Sequence, residues 1–234
     1  MEKQFRPGAS YGKAGYFFLP FIVLIMFGFY KSYIGIFPSF KATVHDHFMI
    51  HFHAALSMIW VILLIVQPLL IRFKKVRIHR LLGKMTYVVA PLLIFSFIGL
   101  IISYWKQENV STWPFFEIAL HYYFQVMHII FFTTFYILAV INRKKTARHA
   151  AFMIGTGLIF INPIVRRVFS NAFGYSFTVA ETIALAVTDI ALVSLLIYAK
   201  RRNLNHKIYY LIMGMFVFYQ VPMFLILYYF FPGQ

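Results

Sequence analysis

A chain of 234 residues that is 62% hydrophobic and 21% aromatic, with only 12% charged residues, has more apolar surface than one soluble core of that size can hide, which excludes an ordinary soluble domain. Its 22 Lys and Arg against 6 Asp and Glu give a net charge of +16, but these charges fall in short clusters between apolar runs and form no single basic face, so a nucleic-acid partner is excluded too. With no cysteine, the chain forms no disulfide, offers no thiolate to a metal, and has no CxxCH haem attachment or cysteine-held iron–sulfur cluster.

Crossing a bilayer takes about 20 apolar residues at 1.5 Å rise each, and seven stretches meet that need. Residues 1–15 read as a short basic tail. The first span, 16–37, carries Pro20 close enough to its start to be tolerated. It follows Lys3, Arg6 and Lys13 as a signal peptide would, but is too long for one. A connection with Pro38, Lys41, His45 and Asp46 leads to the second span, 48–71. The densest basic loop, with Arg72, Lys74, Lys75, Arg77, Arg80 and Lys84, precedes the third, 83–105. A polar loop with Lys106, Glu108 and Asn109 joins it to the fourth, 113–141. Arg143, Lys144, Lys145 and Arg148 introduce the fifth, 150–168, and Lys200, Arg201 and Arg202 separate the sixth, 177–199, from the seventh, 207–231. Residues 232–234 form a short tail.

The basic tail and the loops after spans two, four and six share one side. The positive-inside rule therefore predicts an all-α polytopic bundle of seven helices over 16–231, with a cytoplasmic N-terminus and an extracytoplasmic C-terminus. This topology puts Arg166 and Arg167 near the outer end of span five, where they must pair, snorkel or serve a purpose. A faint repeat emerges at the cytoplasmic hinges: RIHRLLGK, ARHAAFMIG and LNHKIYYLIMG. Each is a basic loop, one histidine (His79 with Arg80, His149, His206), then a helix with an early glycine; interfacial residues that start helices account for all three.

Along span two, His53, Trp60 and Gln67 are seven apart on nearly one line, with Ser57 beside it, a polar stripe that must face protein. His47 and His51 share another face, so one helix cannot aim all of its histidines at a single ion. Span four has the stripe Glu117, His121, Gln125 and His128. Imidazoles at matching depth on spans two and four suit the two axial positions of a haem b, or a shared Cu or Zn ion. His53 and His121 are the expected ligands, with His51, Glu117 and His128 as further candidates. Against this stands plain interhelical hydrogen bonding, worth about 0.6 and up to about 2 kcal/mol per residue. In the same outer half, Pro163 frees a carbonyl beside Asn162, Arg166 lies one turn further out, and Glu181 is its expected carboxylate partner. Asp189, near the centre of span six with no basic residue at its depth except His128, is the better candidate for a proton path. No mid-membrane lysine for a retinal Schiff base, no P-loop and no HExxH sequence occurs.

The segments HFHAALSMIWVILLIVQPLLIRFKKVRIHRLLGKMTYVVAPLL and RHAAFMIGTGLIFINPIVRR resemble an uncharacterised family of bacterial multi-pass membrane proteins. The matching positions are His53, Trp60, Gln67, His79, Arg80, Gly83, His149 and Met153, over about a third of the chain. The resemblance implies a bundle of this type and brings no activity with it; a more distant likeness to cytochrome b561-like or oxidase-assembly membrane proteins is analogy. Three functions are expected from the residues. The first is a histidine-ligated haem or metal site for electron transfer or respiratory metalloprotein assembly. The second is a small-molecule or proton-coupled transporter or sensor whose cavity uses Asn162, Arg166, Glu181 and Asp189. The third is a structural subunit packed against a membrane protein partner or a second copy of itself.

Overall fold

The computed structural model describes residues 11, 13–36, 47–105, 115–204 and 206–230, and every regular element among them is helical. The helices are α1 (Ala14–Tyr30), α2 (His47–Arg72), α3 (Val76–Trp105), α4 (Phe115–Ile141), α5 (Thr146–Leu158), α6 (Ile161–Arg167), α7 (Phe177–Arg201) and α8 (His206–Phe230). A 3₁₀ turn at Ile34–Ile36 follows α1, and a π-helical turn at Val168–Ala172 extends α6. Because α5, α6 and the π turn form one continuous rod, the described residues make seven rods. Six of them are long and apolar enough to cross a membrane, while α1, at 17 residues, is shorter. This is the architecture of a multi-pass membrane protein. Large apolar side chains such as Val88, Phe95, Ile190 and Phe218 face outward, a surface suited to lipid and ill suited to water.

The rod Thr146–Ala172 is the axis of the bundle: 72% of its most apolar window is buried, against 28–39% in the other five spans. Helices α4, α8 and α2 pack on its α5 half, and α7 and α1 on its α6 half. Small residues let α1 lie close against it. A Cβ on Gly157 would overlap the Phe18 ring, and one on Gly28 would sit 3.1 Å from the Ile164 carbonyl oxygen. The Asn171 amide, at the π turn, donates to the Gly28 carbonyl at 2.8 Å.

Three boundaries differ from the sequence expectation. Helix α3 starts at Val76, not near residue 83, so Arg77, His79, Arg80 and Lys84 ride on its first turns instead of in a loop. The turn before it is tight because Lys74 adopts a left-handed conformation (φ 61°), with the Lys75 N–H donating to the Leu70 carbonyl at 2.7 Å and the Lys74 N–H to Ile71 at 3.1 Å. That is a Schellman cap. The hinge between α7 and α8 repeats it: Asn203 has φ 49°, and the Leu204 N–H reaches the Ala199 carbonyl at 2.9 Å. The first helix stops at Tyr30, short of residue 37, because Gly35 in the 3₁₀ turn folds back on the Tyr30 carbonyl, leaving only 2.8 Å to a would-be Cβ. Span five, expected as one helix, breaks at Ile159–Phe160, since Pro163 has no N–H to return to the Ile159 carbonyl.

Candidate functional site

The stripe on α2 faces protein along its whole length, and each member meets a different partner. His53 lies between Ser96 of α3 (Nδ1 to Oγ, 3.0 Å) and Ser57 one turn further along α2 (Oγ to Nε2, 3.2 Å). Ser96 gives its only hydroxyl proton to the Leu93 carbonyl at 2.7 Å, so its oxygen can only accept. His53 therefore donates from Nδ1 and accepts from Ser57 at Nε2, and both ring nitrogens are engaged. Trp60 is fully buried, donating from Nε1 to Thr156 of α5 at 3.2 Å and lying 4.9 Å edge-on from Phe132 of α4. Helices α2 and α4 thus meet through this tryptophan.

Gln67 inserts its amide into the first turns of α3. Its partners assign the amide orientation, with the oxygen accepting from the Gly83 N–H at 2.9 Å and the nitrogen toward His79, whose own Nδ1 lies 3.3 Å from the Gln67 backbone carbonyl. His149 makes the matching contact at the next hinge, Nδ1 to the Ala139 carbonyl at 2.9 Å. Both hinge histidines thus tie a helix start to the end of the preceding helix. His206 instead meets the edge of the Tyr210 ring at 6.1 Å. Arg80 is exposed, as are Arg72, Lys74, Lys75 and Arg77. His51, proposed as a metal ligand, has the Tyr33 hydroxyl 2.6 Å from its Nδ1. The side chains of Glu117 and His121, and residue His45, lie outside the described residues. Among the described residues no three His, Asp or Glu side chains come together as a metal-binding group.

The polar residues that do converge lie on α4, α6, α7 and α8. Glu181 of α7 is 1% exposed. One of its oxygens pairs with Arg166 Nε at 3.3 Å and the other accepts from the Asn162 amide, both on α6. The Arg166 guanidinium also lies 5.3 Å over the Phe177 ring, while Arg167 lies 4.7 Å over Phe29 and donates to the Pro163 carbonyl at 3.4 Å. A burial of this kind requires a paired, hydrogen-bonded carboxylate, and Glu181 has two partners. Eight residues further along α7, Asp189 accepts from the Gln220 amide of α8 at 2.9 Å. A cavity of about 10 Å³ is walled by His128, Ile159, Asn162, Thr188, Tyr219 and Gln220 among others.

Asn162 and Arg166 are four apart within the regular helix α6, so they share one face and reach Glu181 together. Arg166, Asn162 and Glu181 were singled out from the sequence and stand together. Asp189 was singled out as well, but its partner Gln220 was not, although a glutamine inside the apolar run of α8 is a readable signal. Ser96, Thr156 and Thr188 gave none, since small hydroxyl residues sit in membrane helices by bonding their own backbone: Thr188 to Ala184 at 2.8 Å is an instance. Comparison with protein-family models, curated proteins and solved structures finds no match, so function has to be read from these contacts.

Proposed function

We propose that this is an integral membrane protein whose α4–α6–α7–α8 core is a proton-handling site, as in a proton-coupled small-molecule carrier or sensor, with Glu181 and Asp189 as the groups that take up and release the proton. The observation that carries this is Glu181, buried on a helix long and apolar enough to cross a membrane and held there by Arg166 and Asn162. Ionisable groups inside a membrane are costly and are kept where they line a pathway. Asp189 with Gln220 supplies a second station nearer the middle of α7. Arg166 reads as the counter-charge that a protonation change at Glu181 would release.

Infrared titration of the protein in lipid nanodiscs tests this directly, because only 6 carboxylic side chains occur in the chain and their bands are separable. A protonated-carboxyl band that changes with pH, and that vanishes in Glu181→Gln or Asp189→Asn, is the expected result. A spectrum without a titrating carboxyl, or one that both substitutions leave intact, would sink the proposal. These contacts favour this site over a haem b or a Cu or Zn ion on His53, whose two ring nitrogens are already engaged. An absorption spectrum with elemental analysis is the check on that earlier expectation.

The orientation that goes with this reading has the basic hinges in the cytoplasm of a bacterial inner membrane. Because the chain has no cysteine, single-cysteine labelling has no background. Lys144→Cys, in the α4–α5 hinge, is expected to react only with a membrane-permeant maleimide in intact cells, and Tyr175→Cys, before α7, with an impermeant one. The reverse pattern would invert the topology.

A further inference from the structure

We propose that the cleft between α1 and α7 holds one acyl chain of an anionic phospholipid, whose phosphate sits against the Arg72 guanidinium. Both helices pack on α6, but among the described residues they make little contact with each other. The space left between them has a volume of about 300 Å³. Tyr16, Pro20 and Leu24 of α1 form one wall, Val187 and Ala191 of α7 the other, and Ile164 of α6, only 3% exposed, belongs to the floor. The three α1 residues are four apart and lie on one helix face, which gives the cleft a length of about 12 Å. That is most of the roughly 15 Å of hydrocarbon in one leaflet. Spread over this length, the volume corresponds to a cross-section of about 25 Å², room for a single chain and too narrow for a helix of about 10 Å diameter from a second protein.

The chemistry of the walls selects the occupant. Apart from the Tyr16 hydroxyl, every lining side chain is apolar, so water entering the cleft would find no partners, while an empty space would forfeit the contacts of all three helices. In a bilayer the filler at hand is hydrocarbon. The ends of the cleft differ, and this decides the head group. Tyr16 stands in the first turn of α1, where the guanidinium of Arg72, the last residue of α2, lies 5.0 Å over its ring. Lys13, at the start of α1, and Lys74 and Lys75, just after α2, are exposed at the same end. Stacking on the ring fixes the plane of the guanidinium, and among the described residues no carboxylate pairs with it, so its planar fork of donors is free for a phosphate. At the far end, Leu24 offers no polar atom. A molecule with a negative head and an apolar chain matches this polarity. The site rests on the membrane-spanning architecture alone and does not depend on proton uptake at Glu181 or Asp189.

Native mass spectrometry of the full chain, released from nanodiscs of equal phosphatidylglycerol and phosphatidylethanolamine with matched acyl chains, reads the site. One phosphatidylglycerol retained per protein is expected, in about fivefold excess over phosphatidylethanolamine, the weight of one basic side chain beside an anionic lipid. Arg72→Gln, at the surface, should lose most of that excess. Ala191→Phe, which fills the cleft from α7, should retain neither lipid while its melting temperature stays level or rises; Ala191→Leu, a smaller filler, takes its place if the phenylalanine variant does not fold. Equal retention of the two lipids by the unmodified protein, an excess that Arg72→Gln leaves intact, or lipid still held by the folded Ala191 variant overturns the proposal. So does a dimer that carries no lipid, because a second copy would then be what covers the cleft.

Discussion

Glu181→Leu is expected to destabilise the folded protein by about 3 kcal/mol, because it strips Arg166 and Asn162 of their shared acceptor while leaving the guanidinium inside the bundle. Arg166 keeps some access to the surface of the bundle, with its side chain 24% exposed, which places the expected loss at the lower end of the range for broken buried pairs. The double variant Arg166→Met with Glu181→Leu should recover most of it, since an apolar pair of similar volume no longer needs the charge interaction. Unfolding in mixed micelles, followed for the two single variants and the double, measures the coupling. Additive single effects would mean that the two side chains are held independently and that the pair is incidental.

The second large effect concerns the contact between α1 and the central rod. Gly157→Leu places atoms where the Phe18 ring and Leu64 already are, with Phe18 only 1% exposed. Neither ring nor backbone has room to yield, so α1 must separate from α5 at a cost of about 3 kcal/mol. Phe18→Ala, which by itself leaves a hole, should partly rescue Gly157→Leu by making room for the leucine. Melting temperatures of the three variants decide it: a double variant less stable than either single one would place the strain elsewhere. By contrast, Gly214, inside α8, has nothing within 4 Å of a would-be Cβ, and Gly214→Ala serves as the control, expected to leave stability unchanged or raise it by up to about 1 kcal/mol.

The architecture was legible because lipid imposes it. Length and hydropathy place the rods, and clusters of Lys and Arg mark the hinges, whatever the tertiary contacts are. The orientation of the α2 stripe was legible for a related reason: His53, Trp60 and Gln67 are polar atoms that lipid cannot satisfy, so the line they form must face protein. Their partners were not, since Ser96, Thr156 and Gly83 are ordinary residues of a membrane helix until a neighbour's rotation brings one of them opposite. The same distinction separates Arg166–Glu181, a charge pair that few alternatives could satisfy, from Asp189–Gln220, which required the rotation of α8. The break in span five was half legible. Pro163 announces a missing N–H, but the site of the break, and the π turn that compensates for it, depend on the side chains of α1, α4 and α7 packed around it.

The contact of α1 with the Ile164–Asn171 segment also sets an order of events during synthesis. The first apolar helix leaves the ribosome about 140 residues before the last part of the surface on which Gly28 and Ser32 rest, a delay of roughly 10–30 s at ordinary elongation rates. During that interval the main support of α1 among the described residues is α2, through Gly15 against Ile65 and Leu69. A helix of 17 residues held by one neighbour is a poor anchor, and it becomes part of the bundle only when the fifth rod arrives. Newly made chains stopped before residue 172 should therefore expose their first helix to membrane proteases or insertion chaperones, and chains that have passed that point should not.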